Sequence, residues 1–311
     1  MRRKVIQIAD STQLISLPRK WALQNNIKKG DELEVEVNGK KILISTDSSP
    51  PFSSMQVDVS KLERTSIVFL IRALYKKGYD EIRINYNTPT AHHYRTEKDV
   101  NVSTVIHQEV SRCPGLEVIE QKDNYFLLKA ISVADPKELD NILRRTFILI
   151  LDTNKDFVNA CKINDRPLLE SIEEKHDNAT RFLNHSCRLI TKRQSDSSTS
   201  HFLYTIVSML DKILDVMKDG ARYMLVYNKK IRPETAKILD FMCNSYETFY
   251  ELFYKFNLDK VHQMNEDRER IHQEVQNTKN IPKEEIQLLY DMHQSLELYR
   301  ALTESRMAME F

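Results

Sequence analysis

Two pairs of acidic residues carry helical spacing, Glu173 with Asp177 and Asp211 with Asp215. A separation of four sets each pair on one face of a helix. Two such faces brought together supply four carboxylates, a donor set suited to divalent or iron-type metal ions. The alternative is an ion-paired, solvated surface. Lys218 and Arg222 share the side of Asp211 and Asp215, while Ile206, Met209, Ile213 and Met217 point away from it. A second concentration of charge opens the chain. Residues 1–29 hold seven Lys and Arg (Arg2, Arg3, Lys4, Arg19, Lys20, Lys28, Lys29) against one acid, Asp10, whereas residues 30–47 hold two Lys and five acids. Such polarity in a short segment can face nucleic-acid phosphates or make ordinary solvated surface.

Other chemistry is sparse. His92 and His93 sit in a polar stretch with His107 further on, without carboxylate spacing, and read as surface residues. Cys113, Cys161, Cys187 and Cys243 lack C-x-x-C spacing and read as reduced thiols of a cytoplasmic protein. Neither a G-x-G-x-x-G nor a G-x-x-x-x-G-K-[ST] string is present, and no triad signature stands out, so an enzyme is not expected. Lys+Arg number 46 and Asp+Glu 45, so any preference for nucleic acid or membrane must be local. The longest apolar runs, such as Phe147 to Leu151 and Ile67 to Ile71, are far short of the ~20 residues of a membrane span. The basic start leads into an alternating stretch and not an apolar signal core, so no membrane insertion is expected.

The elements that position these residues fall into three textures. Residues 1–47 read as a small β-rich unit: strands at Lys4 to Ala9, Leu14 to Leu17, Glu32 to Val37 and Lys41 to Ser45, a short helix opened by Pro18, and a hairpin turn at Asn38-Gly39. Trp21 on that helix reads as a packing anchor. Asp47 to Ser54 reads as a linker. Residues 55–134 follow a β-α-β-α-β-β pattern, with a helix over 60–77 stopped by Gly78, a polar loop over Asn87 to Asp99, and a hairpin from Leu116 to Ile131. From Asp135 to residue 311 long 3.6-period segments follow one another, with an N-cap and first-turn proline at Asp135-Pro136 and a serine-rich start at Ser195. Six helices are expected, about 136–162, 165–193, 199–227, 233–256, 259–278 and 282–309, in two sets of three. The stripe Phe241, Tyr246, Phe249, Tyr250, Phe253 reads as bundle core. Of the 5 glycines only Gly220 lies beyond residue 115, as suits a bundle.

The string STQLISLPRKWALQNNIKKGDELEVEVNGKKILIS resembles the SpoVT/AbrB-like swapped-hairpin DNA-binding domain over residues 4–46. That resemblance implies a small β-barrel made by two chains exchanging hairpins, and a DNA-binding role for Arg2, Arg3, Lys4, Arg19 and Lys20. Ser11-Thr12-Gln13 stands where bacterial members often carry Gly-Arg, and some members of the fold act as partner-binding antitoxins.

Further on, IEEKHDNATRFLNHSCRLI followed by YTIVSMLDKILDVMKDGARY is similar to a PhoU repeat, over residues 136–228 and, more loosely, 233–309. In that family E-x-x-x-D on the second helix and Leu-Glu-x-x-x-Asp on the third hold metal clusters. This implies Glu173, Asp177, Asp211 and Asp215 as ligands, with Asp211 a shorter reach than the usual Glu. The second repeat has Ala301 four residues after Glu297 and Arg270 four after Glu266, which argues against a second cluster. The run Ile71 to Ile82 looks like the linker domain of archaeal PhoU-type regulators, which carry an AbrB-like domain in front.

The expected architecture is multidomain and mainly α: an N-terminal swapped-hairpin barrel (1–47), a small α+β domain (55–134) and a six-helix PhoU-like bundle of two three-helix repeats (135–311). The expected function is a cytoplasmic transcriptional regulator of phosphate homeostasis, a homodimer or higher homo-oligomer bound to double-stranded DNA. The alternative is an adaptor docking on a phosphate transporter or signalling kinase, its N-terminal domain serving only dimerisation.

Overall fold

The computed structural model describes residues 2–8, 12–39, 41–46, 52–132, 138–192 and 198–311. Most of the linker read at 47–54, the Asp135-Pro136 helix start and the first residues of the Ser195 stretch lie outside them. The chain divides into two units, Met1–Phe52 and Ser53–Phe311.

In the first unit β1 (Val5–Ile8) pairs antiparallel with β2 (Thr12–Ile15), Val5 opposite Ile15. The short α1 (Arg19–Gln24) follows Pro18, whose fixed φ suits a helix start. A second hairpin joins β3 (Glu34–Asn38) to β4 (Lys41–Ser45). Its ladder continues to the pair Asn38 and Lys41, so the tight turn begins at Gly39, one residue later than the sequence suggests. Gly39 has φ 57°, a conformation that costs glycine little.

The second unit opens with an α+β layer. β5 (Ser54–Asp58), α2 (Arg64–Lys77) and β6 (Glu81–Asn85) form a β-α-β crossover with β5 parallel to β6. The start of α2 falls at Arg64, later than the periodicity suggests, because the Glu63 carboxylate caps it. It accepts from the Thr65 and Ser66 amides at 2.7 and 2.6 Å. The helix ends on Gly78 with φ 96°. The stretch read as a polar loop contains a hairpin, β7 (Thr90–His93) with β8 (Lys98–Asn101). α3 (Val102–Val110) follows, capped by Asn101, then β9 (Leu116–Lys122) and β10 (Tyr125–Ala130). The sheet order is β5-β6-β10-β9. Ile67, Ile71 and Tyr75 of α2, Ile106 of α3, and Ile82, Ile84, Phe126 and Leu128 of the sheet make its core.

The helices are α4 (Leu139–Ile163), α5 (Arg166–Lys192), α6 (Ser198–Tyr227), α7 (Pro233–Tyr254), α8 (Leu258–Asn277) and α9 (Lys283–Glu310). Each lies within a few residues of its expected span. α4 packs on α5 and α7, α5 on α6, α6 on α9, and α7 on α8 and α9. Asn164, Asn228 and Asn280 take left-handed φ of 58, 52 and 57° at the chain reversals. Asparagine is the residue other than glycine that visits this region most readily. The connections therefore do without glycine. The aromatic stripe of α7 is core: Tyr246 stacks on Tyr299 with centroids 4.3 Å apart, and Phe147 of α4 lies 4.7 Å from Phe253. No helix among the described residues is long and apolar enough to cross a membrane.

Candidate functional site

The N-terminal unit presents charge and apolar surface together. Arg2, Arg3, Lys4, Arg19 and Lys20 are all exposed. Among the described residues of this unit no side chain is fully buried, and Trp21 is only half-buried. Val37 and Ile42, paired across β3 and β4, are 70 % and 65 % exposed, and Val5, Ile6, Ile8, Leu14 and Ile15 are exposed as well. A segment of this length is marginal alone, because a short chain buries a small fraction of its surface. Its alternating strands expose apolar side chains on both faces, which a single copy leaves uncovered.

In the second unit the four acidic residues lie on α5 and α6 as their spacing demands, but each meets a cation. Glu173 pairs with Arg222 of α6. Asp177 accepts from Arg112 Nη2, just beyond α3, at 2.5 Å, and its other oxygen lies 3.0 Å from His176 Nδ1. Asp215 accepts from Lys218 at 2.6 Å and lies 3.1 Å from His176 Nε2. Asp211, buried, accepts from the Thr180 hydroxyl at 3.0 Å and from Arg72 Nη1 of α2 at 3.5 Å. Arg72 in turn donates from Nε to Glu109 of α3 at 2.8 Å, and Glu109 lies 3.9 Å from Arg112 Nη1. The contacts close a ring over four helices: Asp211 and Asp215 on α6, His176 and Asp177 on α5, Arg112 and Glu109 at α3, Arg72 on α2.

The electrostatics follow from this packing. Burial alone would raise the Asp177 pKa, but hydrogen bonds from His176 and Arg112 hold it down to about 2. Burial acts the same way on Asp215, and His176 and Lys218 hold it well below the carboxylate range. Burial pulls the His176 pKa down, yet Asp177 and Asp215 outweigh it and raise it above the ordinary imidazole value. Glu109 shows the opposite balance. Its burial raises the pKa despite Arg72 and Arg112.

As they stand, these side chains do not fit a metal ion. A ligating imidazole must offer a lone pair, and both His176 nitrogens already face carboxylates. Among the described residues no group of three or more His, Cys, Asp or Glu is placed to hold one. The histidines of the α+β layer are locally engaged: His92 lies 3.1 Å from Asp99 and His93 Nδ1 3.1 Å from the Thr96 hydroxyl within the hairpin, and His107 Nε2 lies 3.0 Å from the Gln121 side-chain oxygen. The four cysteines are free and buried, and burial pushes the Cys161 and Cys243 thiols up to about 12.

A second contact lies further along α5. Arg188, buried, donates from Nη1 to the Tyr75 and Tyr79 carbonyls, both at 2.9 Å, and from Nη2 to Asp80 at 3.3 Å. Lys192 reaches the same Asp80 at 2.8 Å. Arg188 thereby ties down the end of α2: the Tyr75 carbonyl, which also accepts from the Gly78 amide at 3.0 Å, and the Tyr79 carbonyl just past the helix share one guanidinium.

The N-terminal unit is similar to one described family. Residues 6–52 match the family model described as antidote-toxin recognition MazE, a bacterial antitoxin. No curated protein matches the chain, and no solved structure does.

Sequence reading did not single out Arg72, Glu109, Arg112, His176, Asp80 or Arg188 as functional. One signal was present. Glu109 falls among Val105, Ile106 and Val110, on the buried face of α3, where an unpaired charge is costly.

Proposed function

We propose that this chain is a DNA-binding transcriptional regulator. The carrying observation is the match of residues 6–52 to a MazE/AbrB-like domain that forms no closed core among its described side chains and exposes Arg19 and Lys20, with Arg2, Arg3 and Lys4 exposed just ahead of it. A second copy of the chain covers the apolar strands, and the paired units present Arg2, Arg3, Lys4, Arg19 and Lys20 to the phosphates of double-stranded DNA. The helical region, by its resemblance to PhoU repeats, senses phosphate status or docks a phosphate-signalling partner. In this reading the regulated process is phosphate uptake.

Binding that rests on phosphate neutralisation falls steeply with salt. Purified protein is expected to bind duplex DNA with a strong inverse salt dependence. Arg19→Ala with Lys20→Ala is expected to weaken that binding and to flatten the salt slope by about one unit for each phosphate no longer neutralised, while the dimer persists. Salt-independent binding, or an unchanged affinity in the double variant, overturns the DNA-binding role. The antitoxin character of the matched family favours one other reading, a domain that recognises a protein partner. Under that reading the double variant leaves DNA behaviour unchanged and weakens a protein complex.

A further inference from the structure

The acidic face of α5 and α6 is already occupied, and its occupant comes from the same chain. We infer that this face is an internal docking surface for the α+β layer, with the guanidinium groups of Arg72 and Arg112 standing where a metal ion would otherwise be needed to neutralise it. This holds whatever the N-terminal unit binds.

The charges cannot easily be exchanged. The Asp211 side chain is 4 % exposed and that of Glu109 is 1 %. Removing one partner of a buried pair leaves an uncompensated charge. A metal at Asp177 and Asp211 would have to displace both arginines and leave two half-buried cations beside a third. Thr180 and His176, which could have turned toward a metal, instead donate to Asp211 and bridge Asp177 to Asp215.

The docking also has a direction. Asp177 and Arg188 are eleven residues apart on α5, about 16 Å along the helix axis. At the first point the bundle offers anions, Asp177 and Asp211, to cations of the layer, Arg72 and Arg112. At the second the bundle offers cations, Arg188 and Lys192, to Asp80 and the carbonyl end of α2. Turned end for end, the layer would set like charges against each other at both points. Opposed polarity of this kind fixes one orientation and excludes the reverse. Any ligand or partner that takes the acidic face must first displace the layer.

Hydrogen exchange on the full chain tests this, together with titration by Mn2+, Zn2+ and, without oxygen, Fe2+. Wild type is expected to show no stoichiometric metal uptake. Arg72→Met with Arg112→Met is expected to speed amide exchange in α2, α3 and the facing part of α5 at least tenfold, with α7 to α9 unchanged. Arg72→Lys with Arg112→Lys, which keeps both charges, is expected to retain much of that protection, so that the loss in the methionine variant reads as lost charge pairing and not as general misfolding. Stoichiometric metal binding to wild type that Asp211→Asn abolishes would overturn the inference. So would unchanged exchange in the double methionine variant.

Discussion

His176 and Asp215 face each other across α5 and α6, with Nε2 3.1 Å from Oδ1, while the other ring nitrogen lies 3.0 Å from Asp177. The imidazole thus sits between two carboxylates; Lys218 Nζ on α6 lies 2.6 Å from Asp215 and also 3.2 Å from Nε2, where its charge opposes the two acids, and Arg112 beyond α3 meets Asp177 from the other side.

This bracketing sets a pH dependence of stability. The folded His176 pKa is raised, so the stabilisation from the charged ring is complete below the ordinary value of about 6.5 and is lost as pH rises through the folded value. Asp177 acts in the other sense. Its contribution is complete above the ordinary carboxylate value and fades as pH falls toward about 2. Thermal melting of wild type and His176→Gln should therefore differ most near about pH 5.5 and converge in alkali. A gap that widens with pH would refute the bracketed, charged imidazole.

Arg188 holds the end of α2 by three contacts from a buried position. Arg188→Met leaves the Tyr79 carbonyl without this donor and takes one cation from Asp80, while the Tyr75 carbonyl keeps the Gly78 amide, and should cost about 2 kcal/mol in denaturant unfolding. Arg188→Lys should recover only part of this, because one ammonium cannot reproduce the planar fork. A loss below about 1 kcal/mol for the methionine variant would show that water replaces the arginine.

Gly220 lies inside α6, where alanine would ordinarily gain about 1 kcal/mol of helix propensity. A Cβ there would stand 3.0 Å from Phe157 Cζ, a side chain with no exposed surface. Overpacking of this kind costs about 1–3 kcal/mol. Gly220→Ala is expected to destabilise by about 1 kcal/mol net, read from the urea midpoint; a stabilised variant would show that Phe157 can shift.

Val37 stands on the apolar, uncovered surface of β3. Under the proposed dimer, Val37→Asp should place a charge in the contact between copies. Sedimentation should then report monomers, and duplex affinity should fall with the loss of pairing. A variant that stays dimeric would place the contact elsewhere.

Long helices are readable from sequence because their period repeats over many turns, and the bounds of α4 to α9 follow it closely. The β7–β8 hairpin is not, because Thr90, His92, Lys98 and Asp99 give no apolar alternation. The Asn38-Gly39 dipeptide misplaces its turn by one residue because the ladder decides where pairing stops. At the acidic face, spacing shows that Asp211 and Asp215 share a side of α6. It cannot show what lies opposite, since Arg72 arrives from 139 residues away. A four-residue interval describes one helix, whereas the ring is a property of four.

The distribution of thiols gives the chain two independent clocks. Cys113 is sealed in the core of the layer, whereas Cys161, Cys187 and Cys243 are sealed in the core of the bundle. Buried thiols with raised pKa are inert to alkylating reagents until their surroundings open. The rate at which Cys113 is labelled therefore times the opening of one core, and the other three time the second. If the two-point attachment makes both cores open together, all four will be modified at one common rate.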